Sequence, residues 1–187
     1  MSKVAVVFAP GFEEIEGLTI VDVLRRAEID VSMIGFTEEV TGNHEITVKT
    51  DRTLDDSLVD YDMLVLPGGM PGAENLKNNT TVIKSLQAVY DKGKQVAAIC
   101  AAPIVLAAAE LLKDKNYTSF PGFEKQIESG NQSEMIVVRD GRVTTSRGPA
   151  TALAFAYQLV DNLGGDSEKV KAAMQYNKLV ESFQKKV

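Results

Sequence analysis

Four apolar runs set the terms on which this chain can fold: "KVAVVFA" (3–9), "IDVSMIGF" (29–36), "YDMLVLP" (61–67) and "KQVAAIC" (94–100). Each has the length of a strand, and most of each is apolar on successive residues rather than alternately. That is the pattern of strands buried on both faces. Segments of helical period lie between and after them: "FEEIEGLTIVDVLRRAE" (12–28), "TTVIKSLQAVYDKG" (80–93), "AAPIVLAAAELL" (101–112) and "PATALAFAYQLVDNLGG" (149–165). Strands joined by helices run parallel with right-handed crossovers, and the helices cover both faces. The expected fold is therefore α/β, a three-layer sandwich on a mostly parallel sheet. "EITVK" (45–49) reads as a short extra strand, and "MIVVRDGRVTTS" (135–146) as a small antiparallel hairpin turning on Asp-Gly. Residues 166–185 read as helix packed on the surface. No linker, repeat or low-complexity stretch divides the chain, so 1–187 is expected to be a single domain.

Composition narrows the function classes. The one cysteine cannot form an internal disulfide, which suits a reducing compartment. The N-terminus lacks the basic region, long apolar core and cleavage site of a signal peptide, and no stretch is apolar over the ~20 residues of a membrane span. Net charge is −6, with no basic cluster longer than "QKK", which argues against phosphate-neutralising contacts with nucleic acid. The expectation is a cytoplasmic protein with neither membrane nor nucleic-acid partners.

Sites in open parallel sheets form beyond the carboxyl ends of the strands. Three unusual loops qualify: 10–16, 67–72 and 99–103. The last carries Cys100 at a strand-to-helix corner between small neighbours. A thiol at a helix start meets free N–H groups and the positive end of the helix dipole, which favours thiolate, and the N–H of Ala101 is placed to stabilise an oxyanion. Free cysteine is also among the most buried residue types, so position alone leaves both readings open. In "FEEIE", helical spacing puts Phe12, Glu16, Ile20 and Val23 on one side, with Glu16 the polar member of an apolar row. A carboxyl there should have a raised pKa and could shuttle a proton. Glu13 and Glu14 read as charges favouring a helix N-terminus, and the row through Glu14 reads as a solvated face. "LPGGMPG" (66–72) fits no nucleotide-binding signature. His44, the sole histidine, reads as a surface residue, and one Cys with one His does not support a metal site. Arg147, in "TSRGPAT", is open to contact with an anion or a subunit neighbour, but reads first as solvated.

"APGFEEIE", "LPGGMPGAENL", "AAICAAP" and "TSRGPAT", in this order and spacing, resemble the motifs of the DJ-one branch of the ThiJ/PfpI superfamily. The resemblance covers residues 3 to about 165. It implies a flavodoxin-like sandwich and a homodimer with the first helix near the interface. It also implies a nucleophilic, oxidation-prone cysteine at Cys100, a protonated glutamate bonded to that sulfur at Glu16, and backbone donors at Gly69 and Ala101. The histidine that follows the cysteine in protease-like members is replaced by Ala101, which argues against peptidase activity. The histidine that precedes a later proline in some relatives is replaced by Phe120, which leaves Cys100 and Glu16 as the whole catalytic set.

The expected function is cysteine-dependent detoxification of reactive carbonyls such as methylglyoxal, of glyoxalase or deglycase type. It would act on a small aldehyde or a glycated protein, without cofactor or metal. The alternative is a redox sensor or stress chaperone whose thiol oxidises to a sulfinate.

Overall fold

The apolar runs pair where their composition demands. The computed structural model describes residues 2–184. In chain order the elements are β1 (Lys3–Phe8), α1 (Glu14–Arg26), β2 (Asp30–Gly35), β3 (Glu39–Thr41), β4 (Thr47–Lys49), β5 (Arg52–Thr53), β6 (Met63–Leu66), α2 (Gly72–Lys77) and α3 (Thr80–Asp91). They continue as β7 (Gln95–Ile99), α4 (Pro103–Ala108), β8 (Asn116–Tyr117), β9 (Asn131–Gln132), β10 (Val137–Asp140), β11 (Val143–Ser146), α5 (Ala152–Asn162), α6 (Ser167–Ala173) and α7 (Tyr176–Gln184).

The main sheet has the order β10-β11-β7-β6-β1-β2-β5. All its pairs are parallel except β10 with β11, the antiparallel hairpin at one edge. Helices α1 and α5 pack together, as do α2, α3 and α4. This is the mostly parallel, helix-flanked sheet expected from periodicity. β1 is central, and Val4 to Phe8 are completely buried. Each fully buried aliphatic side chain contributes roughly 1.5–3 kcal/mol by leaving water, so this strand anchors the core. Among the described residues no helix is long and apolar enough to cross a membrane.

Four differences from the sequence reading have local causes. Residues 101–112 form helix only over α4, because Glu110 takes a left-handed φ of 62° and ends it. The strand expected at 45–49 does not join the main sheet. It is β4, paired with β3 in a separate two-stranded sheet. "GAENLK" forms the unexpected helix α2 after the glycine loop. The tail breaks into α6 and α7, because Gln175 between them is left-handed (φ 62°).

α1 ends as its residues require. Glu13 is its N-cap, accepting the Glu16 N–H at 2.7 Å, while Arg25 and Arg26 lie at the negative end of the dipole. Ile20, Val23 and Leu24 face the core. Glu16 shares that face and begins the functional site.

Candidate active site

Cys100 sits where β7 stops. Its backbone N–H still follows the ladder, donating to the Ser146 carbonyl at 3.0 Å, and its own carbonyl accepts the Phe120 N–H at 2.9 Å. Between these two bonds the residue is held at φ 65°. A side chain in this region carries strain of order 1–3 kcal/mol, which persists only where surrounding bonds over-determine it. The turn aims a side chain out of the sheet's carboxyl edge, as in a nucleophile elbow. α4 begins only at Pro103, so Cys100 lies ahead of a short helix rather than in its first turn.

Loop 66–72 closes the other side. A Cβ on Gly68 would stand 2.6 Å from the Cys100 Cβ and 2.8 Å from Glu16 Oε2, so only glycine lets these groups share the corner. Gly69 is left-handed (φ 89°), and a Cβ there would come within 2.7 Å of the Gly11 carbonyl oxygen. The Gly69 and Ala101 N–H groups point at the sulfur and favour its charged form.

Glu16 arrives from α1 and is fully buried. Its Oε2 accepts the Gly68 N–H at 2.8 Å, and the Gly68 carbonyl accepts the Glu13 N–H at 2.9 Å, which ties the two loops together. Oε1 is buried without any hydrogen bond of ordinary geometry. The side chain that perturbs this carboxyl most is the Cys100 thiol. Burial pushes Glu16 up to about 7, although the thiol and the Gly68 N–H pull the other way. Burial also pushes the thiol up, and the neighbouring Glu16 adds to the rise. This corrects the expectation that a helix terminus lowers the thiol pKa, because burial and a nearby carboxylate outweigh six residues of helix. The two groups are best treated as one pair holding a proton between them. Cys100 is buried, with 8% of the residue's surface exposed.

The structure thus brings Cys100, Glu16, Gly69 and Ala101 to one corner. His44 is not part of it: its side chain is 67% exposed and contacts Glu14. Glu14 departs from its reading as a solvated residue. It is buried under the β3–β4 connection, where its carboxylate accepts the His44 N–H at 2.7 Å and the Ile46 N–H at 3.4 Å, with the His44 Nδ1 at 3.0 Å. Nothing local in the sequence signals this, because the cover comes from some thirty residues away. Glu13, Glu14 and His44 each place one ligand-type atom within 4.8 Å of the others. One Glu13 oxygen and both Glu14 oxygens already hold these bonds or the cap on α1, so the trio reads as a hydrogen-bonded cap. Arg147 also departs from expectation: its Nη1 is buried and has no partner among the described residues. A cleft of about 450 Å³ lined by Lys77, Ile104 and Lys113 contains neither member of the Cys100–Glu16 pair.

The DJ-1/PfpI family model matches residues 2–162, which includes every residue of this corner. The chain belongs to the DJ-1/PfpI family. Drosophila melanogaster protein dj-1beta is 38% identical over 177 residues, covering 91% of this chain and 94% of that protein. Its crystal structure superposes with a TM-score of 0.90 over 94% of this chain and 98% of that one, at 35% identity. A Pyrococcus horikoshii protein named a deglycase is 32% identical, covering 84% of this chain and 97% of that protein. A structure of Toxoplasma gondii DJ-1 in oxidised form matches with a TM-score of 0.89 and 33% identity, over 94% of this chain and 98% of that one. The DJ-1/PfpI relationship accounts for the motif order as well as the fold.

Proposed function

We propose that this member of the DJ-1/PfpI family consumes α-oxoaldehydes such as methylglyoxal, with Cys100 as nucleophile and Glu16 as proton carrier. The observation that carries the reading is the buried Glu16 carboxyl, raised to about 7 and with no partner on Oε1 among the described residues, beside the thiol of a residue held at a strained backbone angle. A base that titrates near neutrality can both take and return a proton.

The sulfur forms a bond to the aldehyde carbon, and the thiol proton passes to the carbonyl oxygen, giving a hemithioacetal. Glu16 removes the hydrogen on that carbon, and the electrons move toward the neighbouring ketone as an enediol. The proton returns to the second carbon, leaving a thioester. Water attacks the thioester, the C–S bond breaks, and the thiol regains its proton. The net change is R–CO–CHO plus H₂O to R–CHOH–COOH, with no external oxidant or reductant. Gly69 and Ala101 N–H groups would hold each developing oxyanion. A glycated amine or thiol in a protein presents the same carbon to the same groups, and the relative named a deglycase supports that extension.

Cys100→Ser tests the reading directly. Methylglyoxal consumption should fall by about three orders of magnitude, while circular dichroism remains that of the parent. A variant that keeps the parent's rate ends the proposal. Ala101 in place of a histidine, together with the pairing of the exposed His44 ring with Glu14, supports a role other than proteolysis. The proposed setting is the cytoplasm, where a lone thiol stays reduced. The proposed assembly is a homodimer through the exposed Ile15, Leu18 and Ile46 around the first turn of α1.

One observation favours a second reading. A sulfur flanked by two N–H donors and an unpartnered carboxyl oxygen is also suited to hold a sulfinate, and the oxidised Toxoplasma relative supports this. Selective gain of two oxygens at Cys100 under mild peroxide, without turnover of any carbonyl, would favour this sensor role.

A further inference from the structure

Single exposed apolar side chains are ordinary on a protein surface, but two of them stand on residues bonded or adjacent to backbone groups around Cys100. Phe120 is 43% exposed, and its backbone N–H is bonded to the Cys100 carbonyl at 2.9 Å. Its ring lies over Gly148, where a Cβ would stand 3.2 Å from the ring, and meets Phe123 edge-on at a centroid distance of 6.4 Å. The ring is therefore oriented by a backbone bond, a glycine and a second aromatic, yet nearly half of it faces solvent. On the other side Met70 is 42% exposed. It directly follows Gly69, whose N–H addresses the sulfur. Each side chain thus belongs to a residue next to, or bonded to, a backbone group that contacts Cys100, and they come from separate loops.

We propose that Phe120 and Met70 are apolar lips on the Cys100 thiol, which select α-oxoaldehydes and related carbonyls carrying a hydrocarbon substituent over unsubstituted ones. The substrate class in this statement rests on the function proposed above, but the lips themselves do not. An aldehyde attached to the sulfur must project its remaining substituent out of the corner, because Glu16, Gly69 and Ala101 occupy the inner sides. An alkyl or aryl group leaving that way passes between the two exposed side chains and loses water against them. Phe120 supplies a flat face for an aryl group, and Met70 supplies an unbranched thioether that adapts to different shapes.

Two measurements test this. The first is the ratio of kcat/KM for phenylglyoxal to that for glyoxal. Phe120→Ala should lower the ratio about tenfold and Met70→Ala by a smaller factor. Phe183→Ala, which removes an exposed phenylalanine from α7, should leave the ratio alone. The second measurement needs no catalysis: the rate at which Cys100 is alkylated by N-benzyl iodoacetamide relative to iodoacetamide. That preference should fall in the same order in the same variants. If both ratios are unchanged in Phe120→Ala and Met70→Ala, there are no lips. If no glyoxal is turned over by the parent but the alkylation preference falls as stated, the lips stand and the carbonyl reaction is what fails.

Discussion

Glu14 and Glu16 sit two residues apart in the first turn of α1, both buried, and their carboxyl groups have opposite fates. Glu16 faces inward, toward the end of β7. Burial raises it to about 7, with the Gly68 N–H its one hydrogen-bond donor of ordinary geometry among the described residues. Glu14 faces the β3–β4 connection. Burial pushes it up too, but the His44 ring, the His44 and Ile46 N–H groups and its own N–H more than offset that and hold it below the usual carboxylate range. The cover over Glu14 is a single thin hairpin, whereas Glu16 lies between α1 and the sheet. The depth of burial and the number of donors that reach a carboxyl together set whether its pKa rises or falls. One turn of helix places a carboxyl whose pKa is raised on one side and a carboxylate that staples a hairpin on the other.

The largest expected effect separates the two sides by activity. Glu16→Gln should lower carbonyl turnover by about a hundredfold or more, since it removes the base. Glu14→Gln should leave turnover within about threefold, as measured by initial rates of methylglyoxal loss. Equal losses in the two variants would erase the distinction between them.

Stability should divide them in the opposite sense. A carboxyl raised from 4.5 to about 7 makes the folded state bind its proton more tightly than the unfolded chain. Its stabilising contribution is full below pH 4.5 and is lost as pH rises through 7, by about 3 kcal/mol at most. Glu16→Gln should therefore be more stable than the parent at pH 8 and nearly equal to it at pH 4.5 in urea titrations. Glu14, held low, contributes above its unfolded value and loses that contribution as pH falls. Glu14→Gln should be less stable than the parent at pH 8 by about 1–3 kcal/mol. If both variants shift stability in the same direction at pH 8, the contrast drawn here fails.

The smallest effect concerns His44. His44→Ala removes one exposed ring from Glu14 but leaves the two backbone donors in place. It should cost about 0.5–1 kcal/mol and leave the pH profile of turnover unmoved. A shifted acid limb in that profile would couple His44 to the Cys100 corner, contrary to the geometry.

Much of this molecule was readable from residue type and spacing. Contiguous apolar strands, helical periods between them and Asp-Gly near residue 140 specify the parallel sheet and its hairpin edge, because burial on two faces and a tight turn each demand particular residues. Cys100 between small residues at a strand end, and Glu16 in the row with Phe12 and Ile20, were separate candidates by residue type, and only the family resemblance paired them. The glycine loop after β6 fits no nucleotide-binding signature, and its close packing at Gly68 against Cys100 and Glu16 is a property of the fold.

Other features have no local signature. The burial of Glu14 depends on a hairpin some thirty residues away, and the rise of the thiol pKa depends on burial and on the Glu16 carboxyl brought in by α1. The early end of α4 follows from one left-handed residue, Glu110, and the exposure of Phe120 from packing against Gly148 and Phe123. Periodicity dictates which face of each element is apolar, since that is a property of neighbouring side chains. Charge state and reach depend on which distant groups come within a few ångströms, and only the completed packing decides that.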